Sequence, residues 1–221
     1  MDEAWSVAEA LDRALELAER PGLTLLGIAG APGAGKSTLA ALVVAHVPGA
    51  VLVGMDGFHL AHDALTAMGR VDRKGAPETF DAAGYVALLR RIRSLDSILG
   101  PTAETVWAPR FHREIEDAVA GAVPVTGEVP LVVTEGNYLL LKTWPWWQVH
   151  GLLDECWYVD LPDELRHARL QARHRHYGRT SGEAWERTLG SDELNAVLVA
   201  ASAVRADRRV SGSDLPVGSL D

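Results

Sequence analysis

The run Gly30-Ala31-Pro32-Gly33-Ala34-Gly35-Lys36-Ser37 has the residue types and spacing needed to hold a triphosphate. Small residues let successive backbone N–H groups curl around a β-phosphate, and a helix starting just beyond them adds partial positive charge. Lys36 is placed to reach β- and γ-phosphate oxygens, the Ser37 hydroxyl to coordinate Mg2+, and Thr38 to donate to an α-phosphate. A glycine-rich turn with an accidental lysine would share the letters but not the setting. Here the apolar run Leu23 to Ala29 leads in, and Leu39, Leu42, Val43 and His46 mark the face of a helix leading out.

Two carboxylates could work beside such phosphates. Asp56, in Met55-Asp56-Gly57-Phe58-His59, follows a short apolar segment, Ala50 to Gly54. A carboxylate there can take the proton of an attacking hydroxyl and align its oxygen on a γ-phosphorus. Glu135 ends the run Leu131-Val132-Val133-Thr134, where an acid at a strand tip suits a partner for phosphate-bound Mg2+. Phe58, His59, Arg110 and Arg113 are candidate contacts for the molecule carrying that hydroxyl, and Lys74 could meet an anionic one. Asp160, beside Pro162, reads instead as the start of a helix.

Between Arg166 and Arg179 lie five arginines and three histidines. Arg166, Arg169 and Arg173 fall at i, i+3 and i+7, on one helix face. Guanidinium groups on a mobile helix could neutralise a transferring phosphoryl group and exclude water. His174 and His176 are two apart, the wrong spacing for a helix-borne metal pair.

These side chains need a frame. Val7, Leu11, Ala14, Leu15 and Ala18 have helical spacing, giving a helix over 3–20 that stops at Pro21-Gly22. Short apolar strands are predicted over 23–29, 50–54, 130–134, 155–160 and 206–211. Between them, Asp81 can cap a helix with Tyr85, Leu88, Leu89, Ile92 and Leu95 inward, 163–177 reads as helix, and Ser181 can cap the next. The stretch 56–80 reads as a functional loop with some helix. Thr105 to Ala108 and Ala122 to Val125 can pair around a polar insert, Arg110 to Asp117. Strands alternating with helices imply right-handed crossovers and a mainly parallel five-stranded sheet in a three-layer α/β/α sandwich, plus a helical lid at about 166–185 and a small β insert. One domain is expected over 1–221, with its core at 23–211 and a loose tail at 212–221.

Bulk composition narrows the partners. The formal net charge of −9 repels nucleic acid and anionic membranes, so an anionic nucleotide must be gripped locally. Apolar runs fall short of the roughly 18–20 residues that span a bilayer, and Asp2 and Glu3 do not open a signal peptide, so a cytoplasmic protein is expected. The single cysteine, Cys156, excludes an internal disulfide and sits in an apolar strand as a core thiol. Trp144-Pro145-Trp146-Trp147 reads as an apolar cap on the core.

Taken together, these residues resemble the uridine kinase, pantothenate kinase and phosphoribulokinase superfamily of P-loop kinases, over about Leu23 to Ala206. Asp56-Gly57-Phe58-His59, the stretch Arg73 to Asp81, and Glu135-Gly136-Asn137-Tyr138-Leu139-Leu140 resemble a nucleoside-kinase-like, fructose-transport-associated branch. The 73–81 stretch is also similar to bacterial pantothenate kinase. The resemblance implies a P-loop fold with a lid, ATP and Mg2+ as cofactors, Asp56 at the catalytic base position, and Arg169 and Arg173 at the lid arginines. It places Asp192-Glu193-Leu194-Asn195-Ala196 close to the nucleotide, and a homodimer would suit the family. Phe111-His112-Arg113 departs from the branch, which often has Phe-Asp-Arg, and this weakens any transfer of acceptor identity.

The combined expectation is transfer of the ATP γ-phosphate to a hydroxyl of a small molecule. A nucleotide-hydrolysing switch fits less well, because the chain lacks an Asn-Lys-x-Asp guanine signature. Nucleoside, sugar and pantothenate-type acceptors all stay open.

Overall fold

The computed structural model describes residues 4–95, 104–112 and 114–216. Helix α1 spans Val7–Ala18, shorter than the expected 3–20, and begins at a reciprocal cap. The Ser6 hydroxyl accepts from Glu9 N while the Glu9 carboxylate accepts from Ser6 N. The chain continues through β1 (Thr24–Gly30), α2 (Lys36–His46), β2 (Val51–Leu52), α3 (His62–Ala67), α4 (Ala82–Leu95), β3 (Val106–His112) and β4 (Asp117–Val125). It then forms β5 (Leu131–Glu135), α5 (Trp147–His150), β6 (Glu155–Asp160), α6 (Asp163–His176), α7 (Ser181–Arg187), α8 (Glu193–Ala200) and β7 (Arg208–Ser211).

Five strands form one parallel sheet in the order β2-β5-β1-β6-β7. Successive strand side chains point to opposite faces, so each apolar strand feeds two cores. Leu26 and Ile28 of β1 and Trp157 and Val159 of β6 pack with Ala10, Ala14, Leu39 and Val43 of α1 and α2. Leu25, Val132 and Tyr158 pack on the other side with Tyr85, Leu89 and Ile92 of α4 and Val199 of α8. The chain leaves central β1 for the outer edge at β2, returns to β5, then crosses to β6. Strand order therefore reverses around β1, and every carboxyl end lies on one edge. Such a reversal opens a ligand crevice.

Several local expectations need correction. The polar insert 110–117 is mostly strand: after a register shift at Pro109 the ladder continues through Arg110↔Val119, Phe111↔Ala118 and His112↔Asp117. A hairpin buried on one face tolerates polar residues on the other, which hid this extension in the sequence. The cap of α7 is Thr180, paired with Glu183, and Ser181 is already helical. Asp160 does not start α6. Its carboxylate meets Arg209 Nη1 at 3.0 Å, and its carbonyl accepts from Gly212 N at 2.7 Å. The expected loose tail is folded at least to Leu215, which is 3% exposed; residues 217–221 lie outside the described region. Of the tryptophan group only Trp146 is buried, while Trp144 and Trp147 are exposed. Among the described residues, no helix is long and apolar enough to cross a membrane.

Candidate active site

The phosphate loop joins the last residue of β1 to the first of α2. Gly33 and Gly35 have φ of 80° and 104°, the left-handed region that glycine enters at low cost. Their missing Cβ atoms also make room. A Cβ on Gly33 would stand 2.7 Å from Leu170 Cγ and 3.0 Å from the Arg166 carbonyl, and one on Gly35 2.8 Å from Leu215 Cδ1. Gly35 is the N-cap of α2 and makes no side-chain cap, so the amides of Lys36, Ser37 and Thr38 open the helix without intrahelical partners. Such a terminus attracts anions. The Lys36 ammonium donates to the Ala31 carbonyl at 3.1 Å, holding the lysine back across its own loop.

The carboxylates come from the two neighbouring strand ends. Parallel register sets Glu135 beside Ile28, two residues before the loop begins, and Gly136 N donates to the Ile28 carbonyl at 3.1 Å. Glu135 is buried. Asp56 sits on a 3-10 turn, Met55–Phe58, directly after β2. This turn presses against the end of β5: a Cβ on Gly136 would meet Met55 Cβ at 2.5 Å, and one on Gly54 would lie 3.6 Å from Glu135 Oε1. Behind the pair, Tyr85 Oη and Thr134 Oγ1 meet at 2.6 Å, and Thr134 donates to the Val53 carbonyl at 2.6 Å. These bonds lock β2 to β5 just before both carboxylates. Gly136→Ala is expected to destabilise the fold by about 1–3 kcal/mol in urea unfolding, through overpacking against Met55. Gly54→Ala, with an ordinary contact distance, should change it little.

A second wall lies beyond Asp56. The β3–β4 hairpin rests on the turn at Gly57, where a Cβ would be 2.8 Å from the Pro109 carbonyl. His59 Nδ1 is 2.9 Å from the Asp56 carbonyl oxygen and 4.0 Å from Asp56 Oδ1, and its ring packs on Phe80 and Phe111 with centroids 4.0 and 4.9 Å away. Lys74 stands over the Phe111 ring and donates to the Glu116 carbonyl at 2.7 Å. Tyr138 Oη donates to the Gly75 carbonyl at 2.5 Å. Burial pushes its phenol well above the ordinary range, and negative charge on Glu78, Asp56 and Asp192 acts in the same direction. Tyr138 is therefore a neutral, fully buried hydrogen-bond donor to the 73–75 loop.

Helix α6 closes the loop from above. Arg169 reaches three carbonyls, Ala34 at 3.4 Å, Gly212 at 3.1 Å and Leu215 at 3.3 Å, and burial lowers its guanidinium pKa from the ordinary value. Arg173 is half-buried one turn further along. Arg166 does not join them as an anion contact. It is buried and paired with Asp163 and Glu193, because it faces α8 and the back of Gly33. Asp192 takes His174 Nε2 at 2.7 Å, Asn195 Nδ2 donates to the Gly75 carbonyl at 3.3 Å, and Arg187 donates to the Lys74 carbonyl at 2.7 Å. The 192–196 segment thus ties α6 to the 73–75 loop, and α7 reaches that loop through Arg187.

Glycines 30, 33 and 35, Ala31, Pro32, Ala34, Lys36, Ser37, Thr38, Asp56, Glu135, His59 and Arg169 all lie on the strand-end side. Phe58 turns instead into the core, edge-on to Tyr85 at 5.2 Å, and Arg110 is exposed on β3. Arg113 lies outside the described residues. Sequence reasoning met Gly136 and Tyr138 only within a family resemblance and Thr134 only as strand, and gave none of them a role at the site. Of these, only Gly136, directly after an acid at a strand tip, carried a usable signal. Among the described residues, no group of three or more His, Cys, Asp or Glu side chains forms a metal cluster.

Known proteins share this fold. No family model matches the chain. A Schizosaccharomyces pombe protein with a provisional uridine kinase name is 32% identical over 220 residues, covering 91% of this chain and 88% of its own. An Aspergillus versicolor protein named as ATP-dependent kinase-like is 34% identical, covering 72% of this chain and 94% of its own. A solved structure from Silicibacter sp. TM1040, described provisionally as a fructose transport system kinase, matches with TM-score 0.78 and 34% identity over 93% of this chain and 98% of that one. The chain belongs to the uridine kinase-like family of P-loop kinases.

Proposed function

We propose that the protein transfers the γ-phosphate of ATP to a hydroxyl of a nucleoside or sugar, with Asp56 as the base. The observation that carries this is the close seating of the Asp56 turn on the end of β5, beside the phosphate loop, at Gly136 and Gly54. The loop amides and Lys36 hold the triphosphate. The acceptor O–H proton passes to the Asp56 carboxylate while the acceptor oxygen bonds to the γ-phosphorus, and the bond to the β-phosphate oxygen breaks to release ADP. Arg169 and Arg173 exchange their present contacts for the phosphoryl oxygens as α6 and α7 settle as a lid.

The donor set fits Mg2+: a hydroxyl at Ser37 and a buried carboxylate at Glu135 are hard oxygen ligands. Bound there, the ion would neutralise charge between the β- and γ-phosphates. Glu135 would help hold the ion there, so Glu135→Gln is expected to raise the Mg2+ concentration for half-maximal rate about 10–100-fold. A Mg2+ titration of ADP formation checks this, and an unchanged half-point would remove Glu135 from the role.

The ring wall of His59, Phe80 and Phe111 close to Asp56 supports this reading of the acceptor. Aromatic faces suit a nucleobase or the apolar face of a sugar. The names of the yeast and Silicibacter relatives point to the same two classes. Screening ATP-to-ADP conversion against nucleosides, sugars and vitamin alcohols tests the assignment. ADP formation stimulated only by a pantothenate-type alcohol would reassign the acceptor, and none above the acceptor-free rate would remove the kinase reading.

A further inference from the structure

Away from the site, one helical face is apolar and uncovered. The chain runs from α7 through a π turn, Thr188–Asp192, into α8, and then through a 3-10 turn, Ala203–Arg205. Ala184, Thr188, Ala196, Val199 and Ala203 bury the inner side. On the outer side Trp185, Leu189, Leu194, Leu198, Ala201 and Val204 are exposed, Leu194 by 68% and Val204 by 80%. Neighbours on one face of a helix stand three or four residues apart, yet Leu189 and Leu194 are five apart. The π turn between them takes up the extra residue, which keeps the outer side chains in one stripe. At the usual rise per residue the stripe is roughly 30 Å long. Its apolar surface, roughly 600 Å², is at the upper end of what a monomer leaves in one patch, the range in which interaction sites are found.

Chemistry selects the occupant. A face that lies on a membrane needs Lys or Arg beside its apolar residues. Here Arg187 is turned inward to the Lys74 carbonyl and Arg205 to the carbonyls of Leu140 and Leu141, while Glu183 and Glu186 are exposed on α7. None of the six stripe residues is charged, so a second identical stripe meets no repulsion there. The stripe also matches itself in shape. Its bulk lies at one end, in Trp185 and Leu189, and its small side chains at the other, in Ala201 and Val204, with Leu194 midway. Antiparallel pairing across a twofold axis sets large against small at both ends. Two such stripes bury about 1,200 Å² in total, enough for a specific interface.

We propose that this face joins two copies of the chain, packed antiparallel across a twofold axis at Leu194, with Trp185 of one copy against Val204 of the partner subunit. The pairing uses none of the phosphate loop, Asp56 or Glu135, so it stands apart from the reaction proposed above.

Sedimentation velocity of the full chain, from about 1 to 100 μM, is the test. The wild type is expected to be a dimer with a Kd of about micromolar. Leu194→Lys and Leu194→Glu each place like charges opposite one another at the axis, and each is expected to weaken the dimer at least about 100-fold with an unchanged melting temperature. An equimolar mixture of the two variants sets opposite charges across the axis and should recover the dimer mass. Leu194→Cys gives an independent reading. The native Cys156 is fully buried, so mild oxidation should link two copies through residue 194 alone. A monomeric wild type at 100 μM, whether inert or sedimenting with anionic vesicles, would overturn the proposal. So would a dimer that persists in both charged variants, a mixture that stays monomeric, or Leu194→Cys that does not cross-link.

Discussion

Asp56→Asn should lower kcat for the phosphorylated acceptor by about 10²–10⁴-fold, the range a positioned base supplies. The substitution keeps the size of the side chain. It also keeps the hydrogen bond that matters locally, because His59 Nδ1 meets the backbone carbonyl of residue 56 at 2.9 Å. The 3-10 turn is held by Gly57 N to Gly54 O and His59 N to Asp56 O, neither of which involves the carboxylate. Thermal stability and the affinity for ATP should therefore stay close to wild type, and the loss should fall on the chemical step. Wild-type turnover by this variant would remove Asp56 as the base. A matched fall in stability would mean that the carboxylate is structural.

Lys36→Met should cost about 10²–10³-fold in kcat/KM, comparable to removing one preorganised donor from a developing charge. Lys36 is 8% exposed, and its ammonium is held over the loop by the Ala31 carbonyl. That carbonyl also accepts from Ala34 N at 3.1 Å, so it keeps a partner when the lysine is lost. The loop should survive while the triphosphate loses its cation. Calorimetric titration with a non-hydrolysable ATP analogue and Mg2+ separates the two effects: weakened binding in a chain with an unchanged melting temperature is the expected result. Full-strength binding would show that the amides alone hold the nucleotide.

The frame was legible wherever composition and periodicity agreed. Runs such as Leu25 to Ala29 and Leu131 to Val133 are apolar at every position because both faces of the parallel sheet are covered, and strand ends then place Gly30, Asp56 and Glu135 on one edge. Cys156 is a buried core thiol, as its strand suggested, and desolvation pushes its pKa well above the ordinary value. Helix α6 was located correctly but its face was misread. Spacing alone put Arg166 with Arg169 and Arg173, whereas the partners that bury Arg166 include Glu193, distant in sequence, so no local pattern could reveal the pair. The same holds for Leu215, whose burial depends on Gly35 lacking a Cβ some 180 positions earlier. Phe58 and His59 are adjacent on a turn, and turn geometry, invisible in the letters, sends one to the core and the other to Phe80 and Phe111.

The most direct measurement follows the γ-phosphorus itself, by 31P NMR of a reaction holding the protein, ATP, Mg2+ and an acceptor found by the ADP screen. A new phosphomonoester resonance growing in step with ADP, absent without acceptor and nearly lost in Asp56→Asn, is the expected result. Inorganic phosphate appearing at the same rate with or without acceptor would contradict it, because the terminal phosphorus would then be facing water and not a hydroxyl aligned by Asp56.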